Sequence, residues 1–261
     1  RYALTQGFTN YNAINAFANY DFSIGKHDIS IMGGYNQEES HKESQWSQRT
    51  DVLLENLPSL SGSTGTASVT DSFDEYAIRG LFYRVNYTYD GKYMFEANGR
   101  YDGTSRFPKD KKGHRYGFFP SFSAGWRISE EAFMKNTKSF LSNLKLRASW
   151  GSIGNQIILK SDNTPDNYPY IPSMSPYLTE WLVDGQKATT LNAPAMVSSS
   201  FSWEKEYTLD FGVDFGFFDN RFNGTFDWYR RDTKGMLAPG MDLPWVVGAT
   251  AAKQNAADLK T

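Results

Sequence analysis

The 261-residue chain has no cysteine, which excludes a disulfide scaffold and a thiolate zinc site. No run of 18 apolar residues is present, so no segment reads as a transmembrane helix. Arg1 to Asn10 lacks the apolar stretch of a signal peptide. No sign of charge dominates: 27 Lys and Arg oppose 29 Asp and Glu, for a net charge of -2. A nucleic-acid partner is therefore not expected. Histidine is scarce. His27, His41 and His114 all fall in expected turns or loops, with no nucleophile beside them. Gly62-Ser63-Thr64-Gly65 lacks the lysine of a phosphate loop. No carboxylate pair stands out as a glycosidase would need. The expectation is a protein that is not an enzyme and carries no cofactor or metal.

Aromatic residues and glycine are abundant: 19 Phe, 16 Tyr, 7 Trp and 22 Gly. Aromatic side chains fit a pleated surface, and the chain alternates with period two. Leu144, Leu146, Ala148 and Trp150 share one face, opposite Lys145, Arg147, Ser149 and Gly151. Tyr207, Leu209, Phe211, Val213, Phe215 and Phe217 oppose Glu206, Thr208, Asp210, Gly212, Asp214 and Gly216. Tyr93 to Tyr101 sets Tyr93, Phe95, Ala97, Gly99 and Tyr101 against Met94, Glu96, Asn98 and Arg100. Asp90-Gly91 before it supplies the positive φ angles of a tight hairpin. Tyr11 to Ile24, Asp28 to Tyr35, Arg84 to Asp90, Phe118 to Arg127 and Phe222 to Trp228 alternate likewise, giving about eight strands.

The connections alternate in length. Gly25 to His27, Asp90 to Lys92 and Asp219 to Arg221 are short. Asn36 to Glu75, Asp102 to Gly117, Ser152 to Ser202 and the stretch after Arg231 are long. Ile128 to Asn143 breaks the pattern on the short side, and Ser129-Glu130-Glu131 there predicts a short helix. Short turns at one end and long loops at the other mark an up-and-down outer-membrane barrel. Aromatics also collect at strand ends, as in the girdles of such barrels. A mean hydropathy of -0.57 suits a soluble protein, but barrel strands average out polar too. A soluble, secreted all-β carbohydrate-binding module is the alternative.

Several strings point further. Leu-Phe-Tyr-Arg-Val-Asn-Tyr-Thr-Tyr-Asp-Gly-Lys-Tyr over 81–93 and Arg-Tyr-Asp-Gly-Thr-Ser-Arg-Phe over 100–107 are two. Phe-Pro-Ser-Phe-Ser-Ala-Gly-Trp-Arg-Ile-Ser-Glu-Glu over 119–131 and Leu-Lys-Leu-Arg-Ala-Ser-Trp-Gly-Ser-Ile-Gly-Asn-Gln over 144–156 follow. With Trp203 to Glu206 and Asp214 to Phe222, they resemble the mid-barrel of the SusC/RagA family of TonB-dependent transporters. The resemblance covers nearly the whole chain. It implies that residues 1–261 are part of a transmembrane β-barrel of about 22 strands, with no counterpart of the plug domain or the N-terminal extension. It also implies import of a bulky glycan or oligopeptide across the bacterial outer membrane, contact with lipid, a SusD-like surface lipoprotein as partner, and the TonB complex acting through the plug.

Candidate residues follow. Glu96, Asn98, Arg100, Lys145, Arg147, Glu206, Asp210, Asp214 and Asp227 are expected to face the lumen. Arg106 either holds an outward loop or pairs locally in a turn. Asn155, with Gly151 and Gly154, either contacts substrate or shapes a turn. Tyr168, Tyr170, Tyr177 and Trp181 either stack on sugars and partners or pack their own loop. Glu38, Glu39, His41 and Glu43 form an acidic cluster expected in a solvated loop rather than at a metal. Lys109 to Lys112 is a basic loop tip that either meets lipopolysaccharide anions or is a solvated turn.

Overall fold

The computed structural model describes residues 1–109, 114–160, 162–194, 196–198, 201–241, 243–247 and 251–261. Of the basic tip Lys109 to Lys112, residues 110–112 lie outside the described residues. Nine strands form one antiparallel sheet: β1 (Tyr2–Ile24), β2 (His27–Arg49), β3 (Ala67–Tyr89), β4 (Tyr93–Thr104), β5 (Tyr116–Arg127), β6 (Leu141–Asn155), β9 (Glu204–Phe217), β10 (Phe222–Ala238) and β11 (Gln254–Lys260). Each pairs with the next in this order, and the sheet is open, with β1 and β11 at its edges. A separate hairpin, β7 (Pro176–Val183) and β8 (Gln186–Leu191), stands in the loop between β6 and β9.

Turn chemistry sets the register. Gly25 takes φ +60° between β1 and β2, and Asp90 and Gly91 take +51° and +65° between β3 and β4. With these turns fixed, apolar residues meet across every interior ladder. Tyr87 pairs with Phe95, Phe95 with Ala124, Ala124 with Ala148, Ala148 with Phe211 and Phe211 with Trp228. One slip of register would turn each strand over. The result is a continuous apolar face backed by a polar one.

No described layer covers the apolar face. Phe95 is 53% exposed, Phe122 49% and Phe226 64%. On β4 the band runs from Tyr93 to Tyr101, about 27 Å along the strand, close to the roughly 25 Å apolar belt of an outer-membrane barrel. Its short-turn margin carries a ladder of rings, Tyr89 on Tyr93 and Tyr93 on Trp126, with centroids 6.3 and 6.2 Å apart. Gly99 lies beneath the Tyr83 ring, where a Cβ would collide with it.

The structure corrects four expectations. The connection Asn36 to Glu75 is mostly strand: β2 runs to Arg49 and β3 starts at Ala67. Both are 23 residues, about 75 Å long, and so extend far past the apolar band. The cluster at Glu38, Glu39, His41 and Glu43 therefore lies in β2, not in a loop. The loop expected after Arg231 begins later, because β10 continues to Ala238. Among the described residues the main sheet has nine strands where about eight were expected, since Gln254–Lys260 adds β11. Outside the band neither face needs to be apolar, so the sequence there carries little alternation.

Candidate functional site

The polar face carries the charges. Register places Glu96, Asn98 and Arg100 of β4, Lys145 and Arg147 of β6, Glu206, Asp210 and Asp214 of β9 and Asp227 of β10 on that one side. Arg147 bridges two carboxylates: Nε donates to Asp214 Oδ2 at 2.9 Å and an Nη donates to Asp227 Oδ1 at 2.8 Å. Thr225 donates its hydroxyl to Asp214 as well. Arg231 pairs with Glu206 at 3.1 Å. Arg84 donates to Asn98, whose amide reaches Glu96 and Ser121. A network this polar, at half-exposed positions, suits a wet surface, because an unpaired charge in a dry one is costly.

At the long-loop end the loops fold over this same face. Phe119 of β5 has polar-face parity, and its ring packs on Trp203 at 5.0 Å. Phe107, Ile158 and Phe201 complete a small buried core, joined by Tyr170 and Leu237. Gly154 makes room for it, because a Cβ there would overlap the Phe119 ring.

Arg106 is buried, at 6% exposure. Its guanidinium stacks over Tyr76 at 4.4 Å and donates from Nε to Asn167 Oδ1 at 2.7 Å. Asn167 in turn donates to Asp74 Oδ2 at 2.7 Å. Burial pushes the Arg106 pKa down, but a guanidinium keeps its charge in proteins. Beside this latch, Tyr168 accepts the Glu75 amide at its hydroxyl, and Tyr170 donates to the Ser105 carbonyl. These two tyrosines fasten the loop to β3 and to the start of the β4–β5 connection. Tyr177 and Trp181 are different: they stand exposed on the hairpin β7–β8, at 40% and 61%. Asn155 accepts the Ile157 amide in a local turn. At the far end of the loop, Asn255 clamps Ser202 and the Gly235 carbonyl.

The short-turn end holds residues that sequence reasoning treated only as a helix start. Ile128–Glu130 and Ala132–Thr137 are short 3-10 helices, and Glu131 lies between them. Its Oε1 accepts the Tyr93 hydroxyl at 2.5 Å and the Trp126 indole N–H at 3.1 Å. Those donors hold its pKa below the usual carboxylate range. Lys92 and Lys26 flank Asp90 at 3.0 and 3.1 Å and lower its pKa likewise. The signal was the coincidence of aromatic strand ends with an acidic pair in the adjoining link. Among the described residues, no group of His, Asp and Glu is arranged to hold a metal.

Comparison with known proteins agrees with this geometry. A family model described as TonB dependent receptor-like, beta-barrel matches residues 1–260. The TonB-dependent receptor SusC of Bacteroides thetaiotaomicron is 33% identical over 232 residues, 87% of this chain and 22% of the relative. TonB-dependent receptor P3 of Formosa agariphila is 30% identical over 253 residues, 94% of this chain and 23% of the relative. The solved RagAB peptide transporter superposes with a TM-score of 0.82 at 24% identity, over 99% of this chain and 27% of that one, a likeness of fold. The chain thus spans about a quarter of the length of the proteins it matches.

Proposed function

We propose, from the fact that this chain belongs to the TonB-dependent receptor β-barrel family and to its SusC/RagA branch, that it forms part of the wall of an importer for a bulky nutrient. Proteins of this family are transporters and receptors of the bacterial outer membrane. The nutrient is a glycan or an oligopeptide. The polar face lines the lumen and borders the plug, through which the TonB complex delivers work. A SusD-like lipoprotein covers the long-loop end, where the hairpin offers Tyr177 and Trp181.

One observation carries this reading. A single sheet presents uncovered apolar side chains on one side and a charged network on the other, with the loops folded over the charged side. A soluble carbohydrate-binding sandwich would bury the apolar face under a second sheet; here Phe95, Phe122 and Phe226 are bare. The test uses the full-length protein in its native outer membrane. Uptake of labelled nutrient depends on the gene and stops when a protonophore collapses the proton gradient. Monodisperse extraction without detergent, or uptake indifferent to the protonophore, overturns the proposal.

A further inference from the structure

Beside the buried core, on the same polar-face side, described residues of the long loop and residues 251–253 border an open cleft of about 890 Å³. That lies within the size range of small-molecule sites and exceeds a single side chain several-fold. It shares Ile158 and Phe201 with the core. Its wall is mixed: Leu159, Ile171, Pro194, Met196 and Val197 give it an apolar side, and Asp166, Ser173 and two lysines a polar one.

Of the two lysines, Lys253 donates from Nζ to the Leu159 carbonyl at 2.8 Å. Among the described residues it makes no ion pair with a carboxylate. Lys160 also lines the cleft, and Asp162 is near enough to feel its charge but not to pair with it. The one carboxylate in the lining, Asp166, already accepts the Tyr168 amide at 3.0 Å.

This chemistry discriminates between the two nutrient classes. Sugar rings are held by open aromatic faces and by carboxylate or amide side chains. The two rings here are not open: Phe201 is 4% exposed, and Tyr168 is half-buried with its hydroxyl committed to Glu75. An apolar side next to an uncompensated ammonium suits an apolar side chain next to a carboxylate. We propose that this cleft is a substrate pocket for peptides, seating aliphatic side chains on Ile171 and Met196 and a C-terminal carboxylate at Lys253. The inference rests on the import reading and narrows it to oligopeptides.

The experiment uses full-length protein in detergent, with three probes: a fluorescent hexapeptide ending in leucine, its C-terminal amide, and labelled maltohexaose. The acid binds about tenfold more tightly than the amide, and maltohexaose does not bind. Lys253→Ala abolishes the preference for the acid. Ile171→Trp, which fills a half-exposed part of the wall, weakens both peptides by about tenfold. Equal binding of peptides by the wild type and both variants overturns the pocket, as does binding of maltohexaose alone or of no probe. Protonophore-sensitive glycan uptake without peptide binding would sink the pocket and leave the importer standing. Peptide binding with no energised uptake of any nutrient would sink the importer instead.

Discussion

Arg106 and Asn167 are 61 residues apart in the chain and 2.7 Å apart in space. The contact joins the β4–β5 connection to the long loop, and Asn167 passes it on to Asp74 of β3. A loop of some fifty residues would sample many states without such anchors. The latch, with Tyr168 and Tyr170, fixes its first third on the polar-face side.

Arg106→Ala should therefore release the loop. It removes a buried, charge-assisted hydrogen bond and the cover over Tyr76, and leaves Asn167 half-satisfied, a loss of about 2 kcal/mol. Limited trypsin digestion should cut faster after Lys160 and Lys187, by about thirtyfold if cleavage follows the open population. Arg106→Lys should recover little, because an ammonium lacks the planar stack and the fork. An unchanged cleavage rate in Arg106→Ala would show that the latch does not hold the loop.

A second prediction concerns Gly154. Its missing Cβ is space that the Phe119 ring fills. Gly154→Val should push the ring off Trp203 and cost about 1–3 kcal/mol as an overpacked site. Combining it with Phe119→Ala should cost less than the sum of the two, since each relieves the other. The readout is thermal unfolding of the full-length protein by intrinsic fluorescence. Simple additivity would mean the two positions do not share the space.

How much of this was legible in the sequence depends on range and on the solvent each residue meets. The alternation of Tyr93 to Tyr101 and the turn at Asp90-Gly91 are local, and each reads directly from its own residues. Gln37, Glu39 and Gln45 on β2 continue the apolar face of Tyr35 in parity but not in polarity. Beyond the hydrocarbon a strand has no greasy side to announce it, so β2 and β3 look like loop there. Arg106 and Asn167, or Glu131 with Tyr93, are tertiary pairs that no period encodes. Even so, Arg106, Tyr168 and Tyr170 are candidates on sequence alone, each with a local turn or packing role as its alternative.

His41 gives a pH prediction outside the apolar band. Hydrogen bonds to Glu43 and then Glu75 raise its pKa above the ordinary imidazole value. A raised pKa means that its stabilising effect is fully present below about pH 6.5, the unfolded value, and fades as pH climbs through the folded one. Diethylpyrocarbonate acylates only neutral imidazole, so modification of His41, followed by mass spectrometry, should begin at higher pH than for a free histidine. Glu43→Gln should move that onset down, and Glu75→Gln should do so by less. An onset at the ordinary value in the wild type would remove the effect.

The strongest prediction sets two neighbours against each other. Ala124 and Ser123 are consecutive on β5, so their side chains leave the sheet in opposite directions. Ala124 pairs with Phe95 and Ala148 on the apolar face, and Ser123 with Glu96 and Ser149 on the polar one. An arginine at position 124 must enter hydrocarbon about 7 Å in from the ring margin, at a cost between the roughly 0–1 kcal/mol of the interface and the roughly 2–4 kcal/mol of the midplane. The same arginine at position 123 enters water beside the Glu96 carboxylate and should be close to neutral. Both variants are made in the full-length protein, refolded into bilayers and titrated with guanidinium. Ala124→Arg should lower the midpoint clearly and Ser123→Arg hardly at all. Equal losses, or the reverse order, would mean that the apolar side of this sheet does not face lipid.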